Sequence, residues 1–262
     1  MLIWDGVDFE ELSSLLSADG VVCEGTEDGE DGDNQQDRSA LEQIGQPDVA
    51  IGLLLCEDSF YQLKALPVAQ ALSFYYLRHS LSHRMVPNAM TVPRRAQILV
   101  AAMELADLSG CHGLVGSVCG FSHAPLDEAQ HDWFKNSFPY KLQGYRKRFL
   151  TAPTEVLGLD YQSYNYPSSV WSGRVPFLSS GRCDAVVMWV DYDLAEGVSL
   201  CQLTECGNDF KRYSNKASVL FLEKSVEVKA TSQSLQVITR FKFGDSDIRL
   251  EVSVCDTENE QS

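Results

Sequence analysis

A chain of 262 residues, of which 44% are hydrophobic, is long enough to bury a normal core as one large domain or two modest ones. Its formal net charge of −16 argues against a surface for nucleic acid or for an anionic membrane, because binding phosphates needs a basic patch. We therefore expect neither of these partners, and the acidic surplus favours a cationic protein instead.

The amino-terminal region begins with short secondary-structure signals and then becomes strongly acidic. Residues Leu2 to Asp8 are compatible with a strand, and Phe9 to Leu16 have the apolar spacing of a short helix. The segment from Glu24 to Asp37 contains seven acidic residues and no basic one, so it supplies −7 of the net charge of −16. Because a block of like charges repels itself and buries nothing, we predict a solvated acidic loop over residues 24–37.

The eight cysteines occur at no framework spacing, and neither a signal peptide nor a long apolar span is found near Met1. These features predict an intracellular protein with reduced thiols, located in the cytoplasm, the nucleus or both.

The most informative stretch begins at Asp48. A continuous apolar run, too short for a helix, ends at Glu57 and Asp58, which predicts a buried parallel strand with two acids at its carboxyl end. Pro67 then starts an amphipathic helix that extends to Leu81, at a position where a missing N–H costs little. Ligands of open α/β sheets bind beyond the carboxyl ends of the strands, so chemistry is expected at Glu57.

The pattern changes after this helix, in a turn bracketed by prolines from Val86 to Pro93. The apolar runs that follow have the length of strands, beginning with Ile98 to Met103. A glycine-rich loop is predicted from Asp107 to Gly120, and the aromatic spacing between Leu126 and Tyr145 indicates a helix or partial helix.

Beyond Pro153 the sequence predicts strands only, separated by polar and glycine turns. The clearest period-two alternation runs from Leu235 to Phe243 and, after a turn, from Ile248 to Val254, which predicts an antiparallel hairpin with one exposed face. Trp171 and Trp189 are predicted to pack inside the resulting barrel. Further strands are predicted at Val156 to Leu159, Val170 to Phe177, Ala185 to Val190, Val219 to Leu222 and Val226 to Val228.

These elements predict an α+β protein, in which a truncated α/β layer over residues 1–85 precedes an antiparallel β-barrel domain over residues 86–262. Several segments are diagnostic: the strand ending at Glu57, the helix from Leu72 to Leu81, the turn from Val86 to Pro93, and the stretches Thr151 to Tyr161 and Gly181 to Leu194. Together they resemble the protein arginine methyltransferases, whose Rossmann-like core precedes a β-barrel. They are most similar to the C-terminal repeat of the tandem, monomethylating (type III) members, over roughly residues 48–254.

The resemblance implies a chemistry and assigns residues to it. The family transfers a methyl group from S-adenosylmethionine to an arginine nitrogen, and its strand-end glutamate is the first of two acids that hold the substrate guanidinium. Glu57 takes that catalytic position here. Gln62 and Lys64 stand where the second acid is expected, which leaves Asp58 as the substrate-binding candidate, although adjacent strand residues point to opposite faces.

Two further departures point to a loss of catalysis. The segment from Val21 to Gly29 is the one imitation of a glycine-rich cofactor turn, and its acids would repel the methionine carboxylate, so no cofactor-binding residue is assigned. In the barrel, Ser214 and Asn215 stand where the family has the histidine and tryptophan of a Thr-His-Trp loop.

The resemblance therefore implies a pseudo-catalytic half that packs on a catalytic N-terminal repeat or another methyltransferase module, in a family that acts on arginine-rich proteins. An alternative of a different class remains open: an independent interaction module that binds a basic, Arg/Lys-rich protein.

Metal-binding signals are weak, and we assign no metal site. His79 and His83 have the spacing of two ligands on one helix face but lack a third, which favours a surface position. The group Cys111, His112, Cys119 and His123 could form a tetrahedral site, but a glycine-rich loop with unrelated residues is the simpler interpretation. The cluster from Arg146 to Arg148 is interpreted as a solvated face.

Overall fold

The computed structural model describes residues 2–4, 50–56, 67–110, 115–128, 137–163, 169–201, 203, 216–242 and 248–256. The first layer contains β1 (Leu2–Trp4), β2 (Ile51–Cys56), α1 (Pro67–Ser80), a 3₁₀ turn (Ser82–Arg84) and β3 (Met85–Val92). The remaining elements are β4 (Arg95–Glu104), α2 (Ala106–Ser109), β5 (Ser117–Val118), β6 (Phe121–Ser122), β7 (Phe138–Tyr140), a 3₁₀ turn (Leu142–Gly144), β8 (Arg148–Phe149), β9 (Thr154–Asp160), β10 (Ser169–Pro176), β11 (Gly181–Ala195), β12 (Val198–Leu200), β13 (Ala217–Val228), β14 (Gln233–Phe241) and β15 (Arg249–Asp256).

The first layer is a parallel sheet with the strand order β1-β2-β3. Leu54 of the central strand pairs with Leu2 on one side and with Thr91 on the other. The predicted strands at the start of the chain and before Glu57 are therefore confirmed, and so is the start of the helix at Pro67. A parallel arrangement brings the carboxyl ends of the three strands to one edge.

The turn predicted from Val86 to Pro93 is wrong, because most of it forms the edge strand β3. Met85 pairs with Ile51 and Met90 pairs with Leu53, so four residues of β3 bulge out opposite one residue of β2. Pro87 lies inside this bulge, where its missing N–H removes no ladder hydrogen bond.

Helix α1 is buried on nearly all sides rather than on one stripe. Every residue from Ala71 to Arg78 is buried, including the three consecutive aromatic residues that begin at Phe74. A helix of this kind lies in the middle of a core. It packs on β9 and β11 of the antiparallel region, and the main hydrophobic cluster runs without interruption from β2 through α1 to these strands.

The antiparallel region is built around β4 and β11, whose two faces are both covered. The strand order is β7-β13-β11-β4-β8, with β9 also paired to β4 and β12 to β11. Side chains such as Ile98 and Met188 face the main cluster, whereas Leu99 and Trp189 face a second cluster on the opposite side. Burial on both faces explains why these strands read as continuous apolar runs. The two runs predicted between Val219 and Val228 belong to the single strand β13.

A smaller antiparallel sheet has the order β10-β14-β15. The predicted hairpin is confirmed: Val237 pairs with Val252, and alternate residues of β14 are buried. No ladder joins β9 to β10 or β13 to β15 among the described strands, so these strands show a mixed α+β fold but not a closed barrel. Trp189 is buried as predicted, 6.0 Å from Phe149 between ring centres, whereas Trp171 is half-buried and covers Gly173.

The segment between β4 and β9 differs most from its prediction. The loop predicted from Asp107 to Gly120 contains helix α2 and strand β5, and the helix predicted from Leu126 to Tyr145 is wrong over its second half. There Tyr140 pairs with Ala217 and lies 6.0 Å from the ring of Phe221. A long-range pairing thus outweighs the helical spacing of the aromatic residues.

Asp184 connects the start of the segment between β4 and β9 to the sheet. It lies in β11 opposite the bulge that residues 222–225 form in β13, and it is 1% exposed. Its carboxylate accepts hydrogen bonds from the backbone N–H of Leu105 at 2.8 Å, from Ser225 Oγ at 2.7 Å and from Arg182 Nε at 2.8 Å. A buried carboxylate with this many donors ties β11, β13 and the start of α2 together.

The cysteines only partly follow the sequence prediction. Cys56, Cys119, Cys183 and Cys255 form no disulfide bond, but Cys201 is disulfide-bonded, which corrects the expectation of reduced thiols throughout. Burial is the largest cause that raises the pKa of Cys183, to about 12, so this thiol stays protonated. Within the described residues, no helix has the length and apolarity needed to cross a membrane.

Candidate functional site

The candidate site lies at the carboxyl edge of the parallel sheet, where strand β2 ends at Cys56. Glu57 and Asp58 follow directly, but both lie outside the described residues, as do Gln62, Lys64 and the segments 21–29 and 213–215. The assignment of Glu57 as a catalytic acid and Asp58 as a substrate ligand therefore stays a prediction. Around the end of β2, the described environment is formed by α1 and by the end of β9.

Tyr161 closes this environment from the side of the antiparallel region. It follows strand β9, is fully buried, and donates a hydrogen bond from its hydroxyl to the carbonyl of Ala71 in α1 at 3.0 Å. Its ring meets that of Phe74 edge-to-face with 4.8 Å between centres. Burial raises the pKa of Tyr161 well above its usual range, and nearby Cys56 and Tyr75 raise it further, so the hydroxyl stays neutral and remains a donor.

Arg78 makes a second connection between the same two elements. Its guanidinium is buried in the last turn of α1 and donates from Nε to the carbonyl of Tyr161 at 2.8 Å and from Nη2 to the carbonyl of Gln162 at 3.3 Å. Gln162 in turn donates to the carbonyl of Thr91 in β3 at 3.2 Å and to its hydroxyl. We call these four residues, Arg78, Thr91, Tyr161 and Gln162, the junction.

The junction connects the parallel layer to the antiparallel region. It links α1, β3 and the end of β9 through hydrogen bonds that are buried or partly buried, and such bonds have strong directional preferences. Strand β2 pairs with β3, which is one of the elements that the junction holds. The sequence did not predict the junction; its one local signal is a buried arginine in a helix rich in aromatic residues.

The residues with metal-ligand spacing lie in separate elements or outside the described residues. Helix α1 ends at Ser80, so His79 lies in its last turn and the exposed His83 lies in the following 3₁₀ turn, not on the same helix. Cys119 is exposed in the turn between β5 and β6, and the preceding Cys111 and His112 are not among the described residues. No group of three metal-ligating side chains occurs in the part of the chain that the structure describes.

The predicted basic face is neutralised by acids of the same region. Arg146 bonds Asp107 at 2.6 Å while remaining 81% exposed, and Arg148 pairs with Glu104. Hydrogen bonds from Arg146 lower the pKa of Asp107, and the reciprocal bond raises the pKa of Arg146. The exposure of Arg146 agrees with the predicted solvated face, but the charges of Arg146 and Arg148 are paired with acids.

The positions at which S-adenosylmethionine, the cofactor that the resemblance implies, would be held after β1 and β2 lie outside the described residues. Such a cofactor is held by a glycine-rich turn after a strand and by an acid for the ribose hydroxyls. Within the described part of the layer, the strands end at Trp4, Cys56 and Val92, and the first turn of α1 contains no acid. We therefore derive no catalytic step through the cofactor.

The fold has counterparts among solved arginine methyltransferases. It superimposes on the Trypanosoma brucei PRMT1 enzyme–prozyme heterotetrameric complex with AdoHcy with a TM-score of 0.57 at 12% identity, covering 85% of this chain and 70% of that one. Arabidopsis thaliana Protein Arginine Methyltransferase 10 gives a TM-score of 0.55 at 13% identity, covering 82% and 68% of the two chains. The fold is thus that of the arginine methyltransferases.

Sequence comparison makes the relationship more specific. The chain is 25% identical over 218 residues to Protein arginine N-methyltransferase 7 of Danio rerio, covering 78% of this chain and 32% of the relative. The Drosophila erecta protein of the same name is 28% identical over 141 residues, covering 52% and 20%. No protein-family model matches the chain. The chain is homologous to these arginine methyltransferases, which confirms the resemblance, and it spans about a third of the length of the Danio rerio relative.

Proposed function

We propose that this chain is a module of an S-adenosylmethionine-dependent protein arginine methyltransferase and corresponds to the C-terminal repeat of a tandem member. In this proposal residues 1–85 form a truncated Rossmann-like layer and residues 86–262 form the β-barrel domain. The observation that supports it most is the similarity to the Danio rerio relative, which extends over 218 residues and therefore over most of the chain.

The module acts, in this proposal, as a pseudo-catalytic half. Glu57 holds the position of the first guanidinium-binding acid, but one carboxylate cannot form the paired, bidentate grip that two provide. Asp58 is the acid next to it in the sequence, and adjacent residues of a strand point to opposite faces. The partner is then a catalytic N-terminal repeat or another methyltransferase module, the substrate is an arginine-rich protein bound by the assembled enzyme, and the compartment is the cytoplasm, the nucleus or both.

A replacement experiment tests this proposal. The segment of the Danio rerio relative that matches this chain is exchanged for the chain, and a control lacks the segment altogether. Methyl transfer from radiolabelled S-adenosylmethionine to an arginine-rich peptide is then measured. We expect activity from the exchanged protein, little from the deletion, and none from the chain alone. Activity of the chain alone contradicts the pseudo-catalytic role, and equal loss in the exchange and the deletion contradicts the module.

The second candidate function is a non-catalytic interaction module for a basic, Arg/Lys-rich protein. It is supported by the net charge of −16, which attracts cationic partners over a distance. The same exchange experiment separates the two candidates, because a stand-alone interaction module does not restore methyl transfer to the relative.

A further inference from the structure

The two faces of the smaller antiparallel sheet, β10-β14-β15, differ in burial. Toward the core, Leu235 and Val237 of β14 are buried in the main hydrophobic cluster. On the opposite side Val170 is 66% exposed. We call this side the outer face and define it by three rows of residues in register: Val170, Arg240 and Arg249; Ser172, Ile238 and Glu251; Arg174, Gln236 and Ser253.

The charge of the outer face has the opposite sign to that of the whole chain. The three rows contain three arginines and one acid, Glu251, and all four of these side chains are exposed, whereas the chain has a net charge of −16. Glu251 Oε1 accepts a hydrogen bond from Arg240 Nε at 3.3 Å, so the one acid offsets one of the three cations. The local positive surplus favours an anionic partner.

Two of the arginines stand where they repel each other. Arg240 and Arg249 are register partners across the β14–β15 ladder. The Cβ atoms of such a pair are about 5 Å apart, and like charges directly opposite each other destabilise a sheet. A carboxylate above both guanidinium groups replaces this repulsion with charge-assisted hydrogen bonds. A local cost of this kind is typical of a position kept for binding.

Arg174 provides a second anchor on the same face. It lies four residues beyond Val170 in β10, and Val170 is the register partner of Arg240. At about 3.3 Å per residue, the row of Arg174 is therefore roughly 13 Å along the sheet from the row of Arg240. Arg174 Nε donates to Gln236 Oε1 at 3.2 Å, which orients its guanidinium on the outer face.

An extended protein segment matches this spacing. Its side chains at positions i, i+2 and i+4 point to one face, and the first and the last are about 13 Å apart. The residue at i+2 then lies above Ile238, which is half-buried and apolar. Charges farther away than about 8 Å are screened at physiological ionic strength, so the local arginines decide the binding of a short segment. A nucleic acid extends beyond the face and meets the acidic remainder of the chain, which favours a protein.

We propose that the outer face binds an acidic protein segment in an extended conformation. The carboxylate at position i lies on Arg240 and Arg249, the carboxylate at i+4 lies on Arg174, and an apolar residue at i+2 contacts Ile238. The proposal goes beyond the methyltransferase module, since it requires neither the methyl donor nor a guanidinium-binding acid.

The probe is a peptide of about seven residues with glutamate, valine and glutamate at alternate positions, separated by threonine and labelled with an uncharged dye. Its binding to the full chain is measured by fluorescence anisotropy at physiological ionic strength. We expect saturable binding, and a peptide of the same composition with its two glutamates adjacent should bind about fivefold more weakly. Absence of saturable binding overturns the proposal, and equal binding of the two peptides contradicts the two-anchor arrangement.

Charge reversal at Arg249 separates binding from folding. Arg249→Glu removes the like-charge pair, so it should raise the midpoint of thermal unfolding by about 1 °C while it weakens peptide binding about fivefold. The matched control is Arg94→Glu, the same charge change at an exposed arginine between β3 and β4, which should weaken binding less than about twofold. Equal losses of binding in the two variants overturn the proposal, because they indicate diffuse attraction.

Two further variants test the remaining contacts. Glu251→Gln removes the acid that competes for Arg240, so it should strengthen peptide binding about threefold. Arg174→Glu should weaken binding about fivefold, and it decides the question if Arg249→Glu fails to fold. Unchanged binding by Arg174→Glu, or weaker binding by Glu251→Gln, contradicts the proposed placement of the two carboxylates.

Discussion

The junction and the part of β13 from Glu223 to Glu227 are built in opposite ways. At the junction the meeting groups are buried, and Arg78 and Tyr161 donate their hydrogen bonds to backbone carbonyls of the other element. On β13 the side chains from Glu223 to Glu227 are exposed. Buried hydrogen bonds are costly to break, whereas substitutions of exposed side chains usually change stability little. The fold therefore fixes helix α1 against the end of β9 and leaves this part of β13 exposed to solvent.

The comparison predicts that the largest loss of stability comes from the junction. Replacing Arg78 by alanine removes two hydrogen bonds from a charged donor and leaves the carbonyls of Tyr161 and Gln162 without them. We expect the free energy of unfolding to fall by about 3 kcal/mol, measured by urea titration.

The matched control for this change is Arg94→Ala, because Arg94 is an exposed arginine. It should change the free energy of unfolding by less than about 0.5 kcal/mol. Similar small effects of both substitutions would mean that the junction does not hold the two regions together.

A smaller loss is expected at Tyr161, where the hydroxyl alone can be removed. Tyr161→Phe deletes the hydrogen bond to Ala71 but keeps the ring, so it should lower the free energy of unfolding by about 1 kcal/mol at neutral pH.

The pH dependence of this effect sharpens the test. Because the folded pKa of Tyr161 is raised, its contribution is complete below the unfolded pKa of about 10 and is lost as the pH rises through the folded pKa.

The stability difference between the natural chain and Tyr161→Phe should therefore shrink between neutral pH and about pH 11. Urea titrations at both pH values measure it. Tyr145→Phe, at an exposed tyrosine, is the control for the general effect of alkali. A difference that stays constant over this range contradicts the described burial of the Tyr161 hydroxyl.

The smallest stability effect is expected on the exposed part of β13. Glu223 is exposed, so Glu223→Lys should change the free energy of unfolding by less than about 0.5 kcal/mol. Thermal unfolding of this variant beside the natural chain checks it. A loss comparable to that of Arg78→Ala would show that this part of β13 belongs to the folded core, and the contrast between the two regions would fail.

The sequence correctly predicted those elements whose structure follows from the pattern of neighbouring residues. The strand ending at Cys56, the helix starting at Pro67 and the hairpin of β14 and β15 follow from apolar runs, a proline at the first helical position and period-two alternation. Strand β3 could not be found in this way, because Met85–Val92 contains a proline and becomes a strand only by pairing with β2.

The junction was beyond sequence reasoning for a related reason. Arg78 and Tyr161 are separated by 83 residues, and no periodic pattern connects positions so far apart. Tyr140 was likewise assigned to a helix because its pairing with Ala217 is long-range. The resemblance to arginine methyltransferases survived these errors because it depended on segments such as Thr151 to Tyr161, which lie within or beside correctly predicted strands.

The proposed pseudo-catalytic module requires that this chain does not bind the methyl donor by itself. Isothermal titration calorimetry of S-adenosylmethionine into the purified chain tests it most directly. We predict no heat of binding at micromolar donor concentrations, for the natural chain and for Glu57→Gln alike. Micromolar binding by the natural chain that is lost in Glu57→Gln would contradict the claim and would place a working site at the end of β2.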